Sequence, residues 1–484
     1  MKNLKKLILT GVTVMIAATS FGQLTLSGEY RPRAEYRHGY KSVANGGQAD
    51  AFFIDQRTRL TLDYKVKDYE FFFQLQDVRA WGSEPQLGYN DATNALTIHQ
   101  AWAKINMKEN WGLKLGRQEI SYDDQRIFGA VGWAQQARSH DAAVLSYESD
   151  KFKLHVGAAY NQIAPGSVGV DYSAMYNAAK NKYMSYRDMH FMHFNMPIGE
   201  KIKLSLLALN IGQQVDYLDV SGVNQTSMQY VQTYGTHVKF DFDKLKFNVN
   251  GYYQGGSAPV NPEKPVSAYL FGVDASYQAH KMFSVGLGYE AQSGTSNTDT
   301  TGGYNSTSLN FTPYFGTNHK FNGYMDYFYV GSGHMNAGLQ DAYVKFKFKK
   351  DIWTIGLDMH VFMTGLGVKI WDQQGYVDDQ REMAEAGATP AEMADVNRYG
   401  FHMRSYLGTE LDLSIGTKIN KSVALKVGYS QMFSSETLAH LKGTNWTHNA
   451  TDHMGQARND QMNNWGYVMV IIKPTFLVKE NKVK

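Results

Sequence analysis

The sequence contains no cysteine. Disulfides, thiolate metal sites and a lipid-modified N-terminal cysteine are therefore excluded. After Gly22 there is no window of about 18 apolar residues, the length a helix needs to cross a bilayer, so no transmembrane helix is expected. A large net charge is also missing: 48 Lys and Arg against 45 Asp and Glu leave +3, too little to point to nucleic acid. Catalytic spacing is absent as well. His99, His140, His155, His190 and His193 match no metalloprotease pattern, and Asp123, Asp124 and Asp141 match no calcium-loop spacing. As a glycosidase pair, Glu119 and Asp123 look no better than any other two carboxylates. No enzyme, cofactor or metal ion is expected.

The N-terminus is informative. Residues 1–22 read as a secretory signal peptide, with Lys2, Lys5 and Lys6, then the apolar run Leu7–Ala18, then Ser20-Phe21-Gly22 as a cleavage site. Length alone would allow about three domains. One pattern runs through the whole of 23–484, however, and predicts a single outer-membrane β-barrel domain.

That pattern has period two. In Leu24–Arg37, Leu24, Leu26, Tyr30, Ala34 and Tyr36 share one face, and Thr25, Ser27, Glu29, Arg31, Arg33, Glu35 and Arg37 share the other. Phe52–Tyr64 repeats it, with Phe52, Ile54, Leu60 and Leu62 against Asp55, Arg57, Arg59 and Asp63. Each stretch is long enough to cross a bilayer with tilt. A chain with 32 Tyr, 25 Phe and 8 Trp and a mean hydropathy of −0.42 fits a barrel in which only alternate residues face lipid.

Connections alternate in length. Short polar ones fall at 65–68, 108–110, 149–151, 199–201, 243–244, 279–281, 349–351 and 420–422. Long ones fall near 39–50, 82–94, 122–135, 163–183, 215–227, 256–264, 295–338, 365–401 and 435–464. The fold class is thus all-β: a single transmembrane antiparallel barrel of 18 strands, with short periplasmic turns and long extracellular loops. A hairpin over Tyr324–Val330 would raise the count to 20. Inside 365–401, Asp378–Ala386 and the Thr389-Pro390-Ala391-Glu392 capping box predict short helices. The final strand is read as Trp465–Phe476, followed by a basic tail.

Nine of the fourteen arginines lie between Arg31 and Arg138. Arg31, Arg33, Arg57 and Arg59 sit on the polar faces of the first two strands, and Arg79 lies nearby. A charge on the lipid face costs about 2–4 kcal/mol at the midplane, so these faces should point into the lumen. Arginine suits bidentate capture of carboxylate or phosphate. Acids crowd the same region, so neutralisation across neighbouring strands is an equally good reading. Trp81, Trp102 and Trp133 are candidates for stacking on sugar rings.

The stretch GRQEISYDDQRIFG (Gly116–Gly129), followed by Trp133 and Ala137-Arg138-Ser139-His140-Asp141-Ala142, resembles the alginate-export family of outer-membrane channels. Phe315–Gly331 also looks like a segment of its relatives. The resemblance implies an 18-stranded barrel with a charged lumen that passes an anionic polyuronate. It also implies that Arg117, Asp123, Asp124, Arg126, Arg138 and Asp141 line the pore. The expected function is an outer-membrane channel of a Gram-negative cell for anionic solutes, an acidic polysaccharide such as alginate included. The alternatives are a weakly selective porin or sugar uptake channel, and a plugged barrel whose loops bind a surface partner. Outer-membrane lipid and an anionic solute or polysaccharide are the expected partners. No motif names a periplasmic partner.

Overall fold

The computed structural model describes residues 22–44, 48–83, 96–161, 186–218, 221–259, 263–295, 306–328, 337–367, 369–371, 400–442 and 462–479. Its strands are β1 (Gln23–His38), β2 (Ala51–Lys65), β3 (Tyr69–Ala80), β4 (Leu96–Asn106), β5 (Trp111–Gln118), β6 (His140–Glu148) and β7 (Lys153–Tyr160). They continue with β8 (Asp188–Ile198), β9 (Ile202–Leu218), β10 (Asn224–Phe242), β11 (Leu245–Ala258), β12 (Lys264–His280), β13 (Phe283–Gln292) and β14 (Leu339–Lys350). The remainder are β15 (Trp353–Met363), β16 (Lys369–Trp371), β17 (Gly400–His402), β18 (Tyr406–Lys418), β19 (Val423–Ser434), β20 (Met462–Ile472) and β21 (Thr475–Lys479).

Each barrel strand pairs antiparallel with the next. β1 then pairs with β20 and β21, which closes the sheet. Closure leaves no unpaired edge in lipid. β20 and β21 are one strand interrupted at Lys473-Pro474. Proline has no N–H for the ladder, and the Gly28 N–H donates to the Pro474 carbonyl across the break at 2.9 Å. The antiparallel pair β16–β17 forms a separate two-stranded sheet, so the barrel has 18 strands.

Alternation sorts the side chains. Phe52, Leu60, Phe71, Leu145, Leu206, Phe271, Leu287, Leu357 and Leu413 are exposed on the outer wall, where lipid meets them. Tyr160, Tyr253, Tyr269 and Tyr429 add an aromatic girdle. Arg31, Arg33, Glu35 and Arg57 lie on the inner face and are buried.

Burial inside a pore needs a filling, and two loops supply it. Residues 119–139 and 306–328 fold into the lumen. Ile120, Ile127, Phe128 and Phe315 pack with Met189, Phe191, Leu209, Ile211 and Leu270 of the wall. Met325, Tyr327 and Phe328 pack with Phe362, Leu407, Met432 and Trp465.

Several expectations change. Tyr324–Phe328 is no strand: its apolar residues face the inner cluster rather than lipid, so no extra hairpin forms there. Connections 215–227 and 256–264 are shorter than expected, because β9 and β10 stay paired out to Leu218 and Asn224, and β11 and β12 out to Ala258 and Lys264. The last strand extends past Phe476 through Lys479. A short helix, Glu436–Lys442, stands in a connection read as loop. The helices expected at Asp378–Ala386 and Thr389–Glu392, and residues 1–21 of the signal peptide, lie outside the described residues.

Candidate functional site

The inner loops meet each other before they meet the wall. Phe128 and Phe315 form a parallel bridge: the Gly129 N–H donates to the Phe315 carbonyl at 2.8 Å, and the Phe315 N–H to Ile127 at 3.1 Å. Glycines make this approach possible. A Cβ on Gly129 would lie 2.1 Å from Thr317 Oγ1, and one on Gly316 would lie 2.4 Å from the Arg126 carbonyl oxygen. Trp133 stacks on His319 at 4.6 Å and 13°, with its edge toward Trp465 and Tyr467.

Polar bonds hold this body to opposite sides of the barrel. Arg126 is 1 % exposed, pairs with Glu290 and donates to Asn322 Oδ1 at 3.0 Å. Burial lowers its guanidinium to about 10, against the pull of Asp124 and Asp341, so it stays charged at neutral pH. Asp123 accepts from His193 at 3.1 Å. Asp124 accepts from the Arg126 N–H and from Asn250, both at 2.9 Å. Lys320 donates to the Asp124 carbonyl at 2.8 Å, and burial lowers its ammonium against Asp124 and Asp274. The N–H groups of Tyr324 and Met325 donate to Asp412 and Glu410 of β18. Arg138 donates to the Gly316 carbonyl at 3.2 Å.

Toward β1 and β2 the contact is different. Arg31 donates to the carbonyls of Gly132, Trp133 and Ala134 at 2.7–3.2 Å and to Gln135 Oε1 at 2.7 Å. Arg33 donates to the Trp133 carbonyl at 2.9 Å and pairs with Glu35 and Asp55. Arg57 donates to Gly132, Ala134 and Gln135 carbonyls at 3.2–3.4 Å and pairs with Glu29. Arg59 faces inward and donates to Gln76 at 2.8 Å.

Of the residues predicted to line the pore, Arg31, Arg33, Arg57, Arg59, Asp123, Asp124, Arg126 and Arg138 thus lie on the inner face or in the inward-folded loop. Three do not, which corrects the expectation. Arg117 shares its strand face with Leu113 and Leu115, and Asp141 shares its face with Ala143 and Leu145, so both point outward and pair with each other at 2.7 Å. Arg79 shares the outer face with Phe73 and Leu75 and pairs with Asp77 at 2.7 Å. Arg117 and Asp141 stand near the level of the Tyr160 girdle, where a charge costs only about 0–1 kcal/mol. Asp123, Asp124 and Asp141 bond to different partners and do not converge. Trp81 is exposed and donates to Gln56, and Trp102 lies under the Lys114 ammonium at 3.9 Å.

No lysine position was among the expected site residues. Below the inner loops, toward the short turns, lies a cavity of about 680 Å³. Lys320, Lys349, Lys418 and Lys426 line it with one carboxylate, Asp351. Trp133, His319, Tyr324 and Tyr467 form its roof and side. Elsewhere in the lower half of the inner wall, Lys104 stands directly opposite Lys114, and Lys203 opposite Lys239. Like charges directly opposite cost stability, and Glu148 lies 4.0 Å from Lys104. The signal was present in Lys345, Lys347 and Lys349, which alternate with Phe346 and Phe348 on the way to a short turn.

No curated protein matches the chain. Among solved structures, Pseudomonas aeruginosa OccD3 (OpdP) is 13 % identical with a TM-score of 0.54, over 94 % of this chain and 92 % of its own. Acinetobacter baumannii OccAB4 is 9 % identical with a TM-score of 0.55, over 95 % and 99 %. The outer membrane protein OprD of P. aeruginosa is 10 % identical with a TM-score of 0.53, over 94 % of each chain. At such identities the likeness shows the fold alone. The family described as alginate export matches residues 22–331, well over half of the chain. With the closed barrel and its charged inner loops, this match makes the chain a member of the alginate-export family of channels in the Gram-negative outer membrane.

Proposed function

We propose that this channel passes anionic solutes, acidic oligosaccharides and polysaccharides such as alginate among them. The vestibule carries the reading: four lysines and a single carboxylate line the cavity that leads from the short-turn end to the inner loops. An anion entering from that end meets attraction before it meets the inner loops. Lysine ammonium groups are point charges with three rotatable donors, suited to a sliding carboxylate rather than to one fixed pose. Conduction needs sites that attract without trapping. The aromatic residues Tyr324 and Tyr467 in the same cavity support a weaker second reading, uptake of neutral sugars. Flux into proteoliposomes separates the two. Galacturonate should enter several-fold faster than galactose, and Lys349→Glu with Lys426→Glu should abolish that preference. Equal rates for both sugars would support the neutral reading.

A further inference from the structure

The segment Gly132–Gln135 occupies a ready-made arginine site. Every hydrogen bond that Arg31 makes among the described residues goes to a neutral oxygen, three backbone carbonyls and the Gln135 amide. Arg31 and Arg57 stand directly opposite each other on β1 and β2, an arrangement that repels. Glu29 pairs with Arg57, while Glu35 and Asp55 are taken by Arg33. Arg31 is left with no carboxylate bonded to it among the described residues. Guanidinium binds carboxylate or phosphate through two parallel charge-assisted bonds, which add the attraction of opposite charges and a fixed geometry that a neutral carbonyl does not offer.

The occupying segment is also strained at both ends. Val131 has φ 50° and Ala137 has φ 54°. A β-branched residue in the left-handed region is a true outlier, and such strain persists only where surrounding contacts impose it.

We propose that the Arg31–Arg33–Arg57 cluster is an anion-operated clasp. The backbone of 132–135 is its internal occupant, and a carboxylate or phosphate that displaces it releases the loop from the β1–β2 wall. Relaxation at Val131 and Ala137 favours release once the arginines are taken. The anion-channel reading supplies only the class of ligand.

Hydrogen exchange on the full-length protein in detergent tests this. The N–H groups of Val131, Ala137 and Arg138 donate to Thr317 Oγ1, Ala134 O and Ala130 O, so the peptide 130–138 reports on the clasp. Trigalacturonate and inorganic phosphate should speed its exchange at least fivefold, and maltotriose should leave it unchanged. Exchange that is unchanged or slowed by both anions overturns the proposal. Arg31→Gln should lose most of that response, and an undiminished response in this variant overturns the proposal. Should it fail to fold, a pinned form replaces it. The native chain has no cysteine, so Asp55→Cys with Gln135→Cys, which stand where Gln135 Nε2 meets Asp55 Oδ1 at 2.6 Å, can be joined by a bis-thiosulfonate reagent. Joining should abolish the response to anions, and reduction should restore it. A response that survives joining also overturns the proposal. An unselective channel whose peptide still responds would fail the channel reading and uphold the clasp.

Discussion

Asp123 joins the inner loop to β8 through one hydrogen bond to His193. Burial pushes its carboxyl up, but the hydrogen bond and charge of His193, a bond from Ser205 and the charge of His237 outweigh burial and hold it below its ordinary value. A carboxyl with a lower value in the fold stabilises the fold above the unfolded value, about 3.9. That contribution vanishes as pH falls through the folded value. The Tm of the protein in detergent should therefore exceed that of Asp123→Asn between pH 5 and 7, and the two should converge below about pH 4. A difference that persists at every pH would show that the residue acts through shape alone. At this scale the sequence was legible where parity decided the answer, as for Arg31, Arg33 and Arg57. Near the rim it was less so. Arg117 and Asp141 carry the same motif signal as Asp123, yet their strand phase turns them outward, where they satisfy each other.

The two inner loops behave as one element because their backbones touch at Gly129 and Gly316. Gly316→Ala places a methyl against the Arg126 carbonyl, and the backbone has to move. Undocking Phe128 and Phe315, both nearly fully buried, forfeits about 1.5–3 kcal/mol for each ring. The expected outcome is a lower Tm and protease cleavage within 306–328, with the barrel strands still resistant. Unchanged cleavage would contradict the rigid-body account. The strand count and the alternating connections were readable from period and turn residues. The inner loops were not, because their apolar residues follow no period. Met325 and Tyr327 stand two apart, but the adjacent Phe328 breaks the alternation, and all three serve one packed cluster. The apolar inward positions Met189, Phe191, Leu209 and Ile211 break the expected polar lumen face for the same reason.

At the scale of the whole molecule, arginines bind the inner loop to the β1–β2 wall, while lysines line the cavity below it. The net charge of +3 hides this division. Acids are concentrated around the inner loops, at Glu290, Asp341, Asp358, Glu410 and Asp412, whereas the vestibule below holds Lys349, Lys418 and Lys426. On the proposed reading these lysines face the solute path, and their effect on ion preference should weaken with salt as the Debye length shrinks from about 30 Å at 0.01 M to about 10 Å at 0.1 M. The most direct test is the reversal potential of single channels in a planar bilayer under a low-salt KCl gradient. The expected result is a chloride-preferring potential that moves to zero or changes sign in Lys349→Glu with Lys426→Glu. A potassium-preferring potential in the native protein, or one that the double substitution leaves unmoved, would contradict it.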